Sequence, residues 1–364
     1  MPLTMRQIAR QLGVSITTVS KVLNHHDDIG RETRERVLAH VAELGYRPNA
    51  VARSLTLRRT HTVGVIVPDL MHSFFVEIVA AIEASVSRRG YGLLVCNLAE
   101  DPAKERPQIE MLLERQVDGI VLAAATATRN GDLLRRIAGA GKGLVLIDRD
   151  DHRGVSCHRV ITDDVEVGRL GTAHLLDLGH RAIAHLAGPP LVHAKRRRQG
   201  YERALRQRRL RPATGSIVTG GFLESEGYSA MQRLLDRSPE ITAVFAVNDP
   251  AAIGAMKAVW ERGLRIPEDI SIVGAGDIAH GDMLKVPLTT VSWSRRDLGT
   301  RAAELILDQI EKEGSGPFTR AIVPPRLVVR GSTGAPRQGD RRGGRARRGK
   351  VNAEIAGIAE RSHH

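Results

Sequence analysis

A short run of hydroxyl and basic side chains near the N-terminus has the chemistry to contact DNA. If residues 16–23 form a helix, Val19, Val22 and Leu23 lie on its inner side. The side chains left facing outward are those of Thr17, Thr18, Ser20 and Lys21. Hydroxyl groups and an ammonium group on one helix face can hydrogen-bond base edges and contact phosphate oxygens.

The preceding residues predict a partner helix and a tight turn that hold this helix in place. Thr4 and Gln7 fit a capping box, and Gly13 can end the first helix because glycine tolerates positive φ. Ser15 is placed to cap the second helix. The apolar stripe of the first helix consists of Ile8, Ala9 and Leu12. This layout is that of a helix-turn-helix, whose second helix enters the DNA major groove. On this pattern alone, an ordinary helical hairpin is the alternative.

The charge of the chain favours a polyanionic partner. The 364 residues carry a formal net charge of +13, enough length for two or three domains. Residues 1–60 hold ten Lys/Arg against five Asp/Glu, and residues 336–350 hold seven against one. Because most of the net charge lies at the two ends, we expect a near-neutral body with a basic head. That distribution suits a regulator better than a wholly basic coat protein.

The cysteines and histidines indicate neither disulfides nor metal. Cys96 and Cys157 are too few for a disulfide framework and lack metal-ligand spacing, so we expect reduced, mostly buried thiols. His25 and His26 more simply face solvent or a phosphate, and no cofactor is predicted. There is no charged-then-apolar leader and no apolar run of membrane-spanning length. These features favour a cytoplasmic, nucleoid-associated protein.

Two further segments separate the helical hairpin from the rest of the chain. Residues 31–44 predict a third amphipathic helix, with Val37, Leu38, Val41 and Leu44 on one side. The next residues, YRPNAVARSL, could form about two helical turns after Pro48. So short a helix, poor in apolar residues, should be marginal alone. We therefore expect a linker that becomes ordered on binding.

From residue 63 onward, apolar runs alternate with helical stretches such as 75–89 and 104–115. Short buried strands alternating with helices predict parallel sheets built from βαβ units. The stretch is too long for one open sheet, so two α/β lobes are expected. The predicted strands are residues 63–67, 92–96, 119–123, 143–147, 182–188, 243–247 and 270–274.

Signatures along residues 4–330 resemble those of the lactose-repressor (LacI/GalR) family of bacterial transcription regulators. The N-terminal ones are GVSITTVSKVLN (13–24) and TRERVLAHVAELGYRPNAVARSL (33–55). Those of the remainder are VGVIVPD (63–69), SFFVEIVAAIE (73–83), RQVDGIVL (115–122), HLLDLGHRAIAHLAGP (174–189), AVFAVNDPAAIGAM (243–256), GLRIPEDISIVG (263–274) and PLTTV (287–291). Their order and spacing together are highly specific for this family.

The resemblance implies an all-α helix-turn-helix head followed by an α/β two-lobed effector domain similar to periplasmic sugar-binding proteins. Both lobes would hold doubly wound parallel sheets, with the ligand in the cleft between them. The implied domains are a head (1–47), a hinge helix and linker (48–61) and a ligand-binding and dimerisation domain (62–330). The remaining residues, 331–364, are rich in Gly, Arg and Ala with few apolar anchors, and this composition predicts a basic, disordered tail. The lobes would be 62–161 with 292–320, and 162–291 with 321–330.

The resemblance also implies which residues contact DNA. Ile16, Thr17 and Lys21 would read bases, and Leu55 of each subunit would wedge into the minor groove at the centre of an inverted repeat. The alternative for Leu55 is a linker leucine packed on the third helix. Ala52 and Arg53 would lie beside it. The remaining implied contacts, largely to phosphates, are Thr4, Ser15, Thr18, Ser20, Asn24 and Asn49.

For the effector, the family pattern points to aromatic rings with a few converging polar groups. The implied residues are Phe74, Phe75, Asp163, Asp164, His193, Arg197, Phe222, Asn248, Asp249 and Asp277. Some have simpler explanations: Phe75 could be a core anchor, and Asn248 with Asp249 could cap the helix they begin.

Two departures from the family pattern bear on the effector. The sequence Gly274-Ala275-Gly276-Asp277 replaces G-Y-D-D, so Gly276 stands where many members have a ligand-binding Asp. His72-Ser73 replaces an Asn-Pro. A lost carboxylate and the added His193 and Lys195 favour an anionic effector, such as a sugar acid or sugar phosphate, over a neutral sugar.

The resulting hypothesis is a non-enzymatic, ligand-responsive repressor that binds double-stranded operator DNA as a homodimer and responds to a sugar-derived effector. A sugar-binding transport component, a metabolic enzyme and a regulator that no longer answers a small molecule are the alternatives. The DNA-binding head argues against the first, and the absence of P-loop, G-x-G-x-x-G and G-x-S-x-G motifs against the second.

Overall fold

The structure, a computed structural model, describes residues 4–23, 27–46, 59–71, 73–123, 130–148, 154–312 and 316–337. The helices are α1 (Met5–Leu12), α2 (Ile16–Leu23), α3 (Arg31–Glu43), α4 (Ser73–Ser87), α5 (Glu105–Glu114), α6 (Gly131–Gly139), α7 (Asp164–Asp177), α8 (Val192–Gln207), α9 (Glu224–Arg237), α10 (Asp249–Glu261) and α11 (Arg295–Glu311). The strands are β1 (Thr62–Val67), β2 (Gly92–Asn97), β3 (Gly119–Leu122), β4 (Gly143–Ile147), β5 (His158–Thr162), β6 (Ile183–Ala187), β7 (Ile217–Thr219), β8 (Ala243–Ala246), β9 (Ser271–Ala275), β10 (Thr289–Ser292), β11 (Arg320–Val323) and β12 (Arg326–Val328).

The head packs α1, α2 and α3 around a small core that includes Ile8, Val19 and Val37. The predicted capping box is present, since Thr4 Oγ1 accepts from the Gln7 amide and the Gln7 side chain accepts from the Thr4 amide. Gly13 ends α1 at φ +65°, as its position predicts.

The third helix departs from its predicted burial pattern. Val37 is buried, but Leu38 and Leu44 are 41% and 37% exposed. Val41 is partly buried against the head core. A 13-residue helix that contacts its neighbours along one narrow stripe buries only part of the apolar face predicted from the sequence.

Two six-stranded sheets form the two lobes. Their strand orders are β11-β5-β4-β3-β1-β2 and β12-β10-β9-β8-β6-β7. All neighbouring strands are parallel except the antiparallel pair β10 and β12. In the first lobe, α4 and α11 cover one sheet face and α5 and α6 the other. In the second, α7 and α8 cover one face, and α9 and α10 the other.

The chain crosses between the lobes three times: after β5, after β10 and after β11. The first two crossings lie where the resemblance places them. The third lies a few residues later than expected, because Arg320–Val323 pairs in register with Arg159–Thr162 as the edge strand of the first sheet. Pro324 and Pro325 then lead to β12 in the second sheet.

The sequence analysis assigned residues 331–337 to a disordered tail, but the structure places them in an ordered segment. Ser332 is fully buried. Its hydroxyl donates to the Ile272 carbonyl at 2.6 Å and accepts from the Thr289 amide at 2.8 Å. His180 Nε2 donates to the Gly334 carbonyl at 2.9 Å. These bonds fasten the segment along the second sheet, beside β9.

Both cysteines are buried free thiols, and burial raises the pKa of each. Among the described residues, no helix is long and apolar enough to cross a membrane. The same residues contain no group of three or more His, Cys, Asp or Glu side chains that could hold a metal ion.

Candidate DNA-binding surface and effector cleft

One face of α2 carries the residues expected to read DNA. Ile16 is 42% exposed and Thr17 is exposed, whereas Val19 and Val22 on the opposite face are buried. Lys21 lies four residues after Thr17, so the two side chains point the same way. This geometry leaves an open helix face with one apolar, one hydroxyl and one cationic contact.

Several polar groups of this surface have partners within the head. Lys21 Nζ forms an ion pair with Asp28. The Ser15 hydroxyl accepts from the Thr18 amide at 2.9 Å and lies 2.8 Å from Thr18 Oγ1. Lys21 must therefore release Asp28, or share it, to reach a base. Five predicted DNA contacts lie outside the described residues: Asn24, Asn49, Ala52, Arg53 and Leu55.

A cleft between the two lobes contains six of the ten predicted effector residues. These are Phe74, Phe75, His193, Arg197, Phe222 and Asn248. The other lining residues are Glu100, Asp148, Pro250, Ala275, Gly276, Ile278 and Trp293.

Aromatic rings from both lobes form the walls of the cleft. Phe74 packs edge-on against Phe75 and Trp293, with ring centroids 5.1 and 5.5 Å apart. In the second lobe, His193 stacks on Phe222 at 5.0 Å. Stacked and edge-on rings can hold a flat or cyclic molecule between their faces.

Arg197 is the guanidinium of the cleft, and it is 5% exposed. Its Nε donates to Asp164 Oδ1 at 2.9 Å, and its Nη1 donates to the Val247 carbonyl at 2.7 Å. Its charged end lies 5.0 Å from the centre of the Trp293 ring. These contacts fix the arginine between the two lobes with little freedom to turn.

Asp164 is a partner of Arg197 rather than a wall of the cleft. Burial and the nearby Asp148 carboxylate raise the pKa of Asp164, and Arg197 lowers it, with a net value of about 7. Asp148, which does line the cleft, has a left-handed backbone at φ +61°. A second carboxylate, which directly follows β4, thus lies near the pair formed by Arg197 and Asp164.

The side chains of three other predicted aspartates are engaged away from the cleft. Asp163 is exposed and caps α7, accepting from the Val165 and Glu166 amides. Asp249 is buried and accepts from the Thr290 hydroxyl at 2.6 Å and the Ile278 amide at 2.9 Å. The arrangement gives neither of them a direct ligand contact, because their oxygens hold the backbone that shapes the cleft.

The third, Asp277, does not replace the carboxylate missing at Gly276. It accepts from Arg330 at 2.6 Å and from the Ser292 hydroxyl at 2.9 Å. Burial would raise the pKa of Asp277, but these bonds and the charges of Arg330 and Arg295 lower it below its usual value. Gly276 itself has φ +130°, which residues with a Cβ rarely adopt.

Asn248 lines the cleft while capping α10. Its Oδ1 accepts from the Ala251 amide at 3.0 Å, and its Nδ2 donates to the Phe222 carbonyl at 2.9 Å. The capping interpretation was therefore correct for Asn248.

Three polar lining residues were missed by the sequence analysis: Glu100, Asp148 and Trp293. Asp148 follows β4, at the carboxyl edge of a parallel sheet where ligands bind, so its position was a usable signal. Trp293 is 2% exposed, and its Nε1 has no hydrogen-bond partner among the described residues.

The lining carries charged groups of both signs. It contains the carboxylates of Glu100 and Asp148 and the guanidinium of Arg197, which is paired with Asp164. Lys195 is exposed and does not line the cleft, and His72 lies outside the described residues.

Family models match both parts of the chain. Residues 4–49 match the bacterial regulatory proteins of the lacI family, and residues 60–327 match the periplasmic binding proteins and sugar binding domain of the LacI family. The HTH-type transcriptional repressor PurR of Haemophilus influenzae strain PittEE is 35% identical, covering 90% of this chain and 98% of the relative. PurR of Pasteurella multocida strain Pm70 is 37% identical with the same coverage.

Solved structures give the same assignment. The lac repressor dimer bound to operator and the anti-inducer ONPF has a TM-score of 0.81 and 30% identity, covering 92% of this chain and all of that one. The complex of the regulator CelR with cellobiose has a TM-score of 0.68 and 31% identity, covering 91% and 99%. The chain therefore belongs to the LacI family of bacterial regulatory proteins and is a DNA-binding transcription regulator.

Proposed function

We propose that the protein is a repressor that binds an inverted-repeat operator as a homodimer and releases it when a small molecule occupies the cleft. The observation that carries the proposal is the presence, in one chain, of an open reading face on α2 and an aromatic cleft between two lobes. The relatives named as repressors and the lac repressor dimer on its operator support it. Such a repressor acts in the cytoplasm, in association with the nucleoid.

Contacts on DNA follow from the chemistry of the head. Thr17 and Lys21 read base edges, and Ile16 contacts thymine methyl groups or sugars. Hydroxyls at the ends of α1 and α2 contact phosphates and fix the register. Leu55 of each subunit, with Ala52 and Arg53 beside it, wedges the central step of the minor groove.

An exposed apolar surface on the first lobe supports self-association. The outer strand β2 leaves Val95 42% exposed, and Val76 on α4 is 47% exposed. Met71, between β1 and α4, is 88% exposed. Apolar side chains near an open strand edge are suited to burial against a second copy.

Selection of bound sequences from a random DNA pool tests this proposal. We expect an inverted repeat with two half-sites, and a complex that contains two chains by analytical ultracentrifugation. Leu55→Ala should bind the selected site more weakly and bend it less, because the wedge is removed. A single, non-repeated site bound by one chain would show that the dimer proposal is wrong.

Regarding the effector, we propose a neutral, hydroxylated ring such as a sugar. Aromatic walls suit the apolar face of a ring, and the carboxylates of Glu100 and Asp148 can accept from hydroxyl groups. The cellobiose complex of CelR and a ribose complex of a regulator from Enterococcus faecium are consistent with this class. The lobes would adopt one arrangement that favours DNA binding and another that disfavours it. The effector releases DNA only if it binds the second arrangement more tightly than the first.

Calorimetric titration distinguishes the effector classes. The panel comprises ribose, cellobiose, gluconate and glucose 6-phosphate. We expect binding of a neutral member, weakened about tenfold or more in Phe222→Ala because one stacking wall is removed. Binding of only the charged members would restore the anionic prediction. A screen across wider metabolite classes without any binder would favour a regulator that no longer answers a small molecule, which the glycine at position 276 also supports.

A further inference from the structure

The strongest concentration of positive charge in the described residues lies on the second lobe, in α8 and the turn after it. Residues 192–211, which comprise α8 and the turn after it, hold nine Lys/Arg and one Asp/Glu. By contrast, residues 61–191 hold 14 Lys/Arg against 17 Asp/Glu, and residues 212–336 hold 13 against 15. The effector domain is therefore slightly acidic except at this one surface.

The fold points these charges outward. One side of α8 is buried through residues such as Ala194, Tyr201 and Leu205. The basic side chains, apart from Arg197, lie on the other side and in the turn. The basic face of α8 is the name given to the exposed basic side chains of the helix and the turn after it. They are Lys195, Arg198, Arg203, Arg206, Arg208, Arg209 and Arg211.

Little of this charge is neutralised within the protein. Arg198 and Arg206 share the single carboxylate of Glu202, at 2.9 and 3.8 Å, and Arg208 pairs with Asp177. Within the described residues, no ion pair within 4.0 Å involves Lys195, Arg203, Arg209 or Arg211. Packing so many like charges on a short helix costs free energy in the unbound state, and a polyanion would relieve it.

The basic face lacks the apolar side chains that anchor protein partners. None of the large exposed apolar residues of the described chain falls between positions 164 and 211. Protein interfaces are depleted of charge at their centre and rely on aromatic or apolar anchors. A polar surface rich in guanidinium groups fits phosphate oxygens instead.

The basic tail leaves the protein near the same end of the lobe. The fastened segment 331–337 brings Pro336 against Gly179, just after α7. Asp177, at the end of α7, binds Arg208 at the end of α8. The next residues, QGDRRGGRARRGK, add six further basic residues and one acidic one.

We propose that the basic face of α8 is a second, sequence-independent DNA-binding surface, which contacts phosphates of duplex outside the operator. A 16-residue helix is about 24 Å long, enough to follow several phosphates of one strand. The surface lies on the lobe that the linker does not enter, so it contacts a different stretch of duplex from the one held by the head.

The salt dependence of binding to a random-sequence 40-base-pair duplex tests this proposal. The full-length chain carries Thr17→Glu and Lys21→Glu to disable the head. In that background, the quadruple change Lys195→Gln, Arg203→Gln, Arg209→Gln and Arg211→Gln neutralises the basic face. We expect the slope of log K against log salt to become shallower by roughly 3, since each phosphate that is no longer neutralised by a cationic side chain accounts for about 0.9.

A matched control changes exposed arginines elsewhere on the domain, namely Arg115, Arg135, Arg136 and Arg237, to glutamine. It should leave the slope unchanged. Circular dichroism and sedimentation should show both quadruple variants folded and assembled as the parent is. A slope that changes equally in both variants, or only when residues 338–364 are removed, would overturn the proposal. So would binding of poly-glutamate in preference to DNA, since that would indicate an acidic protein partner.

Discussion

Arg197 lines the cleft with its own charge already supported by groups of the protein. Its guanidinium donates to Asp164 and to the Val247 carbonyl while it lies against Trp293. A buried guanidinium is costly to leave without such partners, because its charge would then stay unpaired. Asp164 therefore sets the charge state of the cleft without facing the ligand.

The raised pKa of Asp164 predicts a pH-dependent stability. The folded protein holds this proton up to about pH 7, whereas an unfolded Asp releases it near pH 4. The stability contributed by proton binding is complete below the unfolded pKa and is lost as pH rises through the folded one. Relative to Asp164→Asn, the free energy of unfolding of the wild type should fall between pH 5 and 7.5, by at most about 1.4 kcal/mol per pH unit.

Asp163→Asn is the control for this measurement by chemical unfolding. Position 163 is exposed, and asparagine caps a helix as well as aspartate does. Its unfolding free energy should run parallel to that of the wild type between pH 5 and 7.5. If the unfolding free energy of Asp164→Asn also runs parallel to that of the wild type, the Asp164 carboxylate is ionised throughout this pH range. The assignment of its pKa is then incorrect.

Individual site residues were predictable where the family pattern and local geometry agree. Phe74, Phe75, Phe222 and Arg197 were placed in the cleft from sequence, whereas Trp293 was not. Asp163 was misplaced although Asp163 and Glu166 form a recognisable helix start. The buried position of Asp249, at the start of α10, depends on Gly274 of β9, because a Cβ at residue 274 would lie 2.1 Å from Asp249 Oδ1. Such a contact cannot be read from either segment alone.

At the scale of elements, glycines set how closely the helices of the second lobe approach one another. A Cβ at Gly168 would lie 1.9 Å from the Arg197 carbonyl oxygen, and one at Gly200 would lie 2.0 Å from that of Val165. Gly227 and Gly254 play the same part between α9 and α10. The position of α8, and with it Arg197, depends on this backbone contact.

Gly200→Ala should therefore destabilise the protein by about 2–3 kcal/mol and weaken effector binding, because α8 must move away from α7. Thermal unfolding should register this as a clear fall in Tm. Gly139→Ala is the control, since no atom lies within 4 Å of a Cβ there, and alanine favours helix. Equal melting temperatures for the two variants would contradict close packing of α7 on α8.

The strands predicted from the sequence are those with continuous apolar runs, namely the central strands and the edge strand β2. Five other strands of the described chain, at or near the sheet edges, were missed: β5, β7, β10, β11 and β12. Of these, β5 begins with His158 and Arg159, and β7 and β12 have only three residues each. Edge strands need fewer apolar residues, since one side and much of one face remain open. Their pairing is decided by distant partners, which a local pattern does not reveal.

At the scale of the whole molecule, the position of the charge matters more than its total. Because most of the net positive charge of the sequence lies in residues 1–60 and 336–350, the sequence predicted a near-neutral effector domain between them. The three-dimensional arrangement shows a mildly acidic body with one basic helix face. A repressor with a reading head and a phosphate-binding face on its second lobe could hold two stretches of duplex at once.

The late strands have a consequence for the order in which the protein forms during synthesis. The first sheet is completed only by β11, and the second only by β12. The head, residues 4–46, contains its own core and emerges first. Domains generally fold as they leave the ribosome, so the head is complete while both lobes still lack a strand. A nascent chain thus possesses its DNA-reading surface before it has a cleft with which to be controlled.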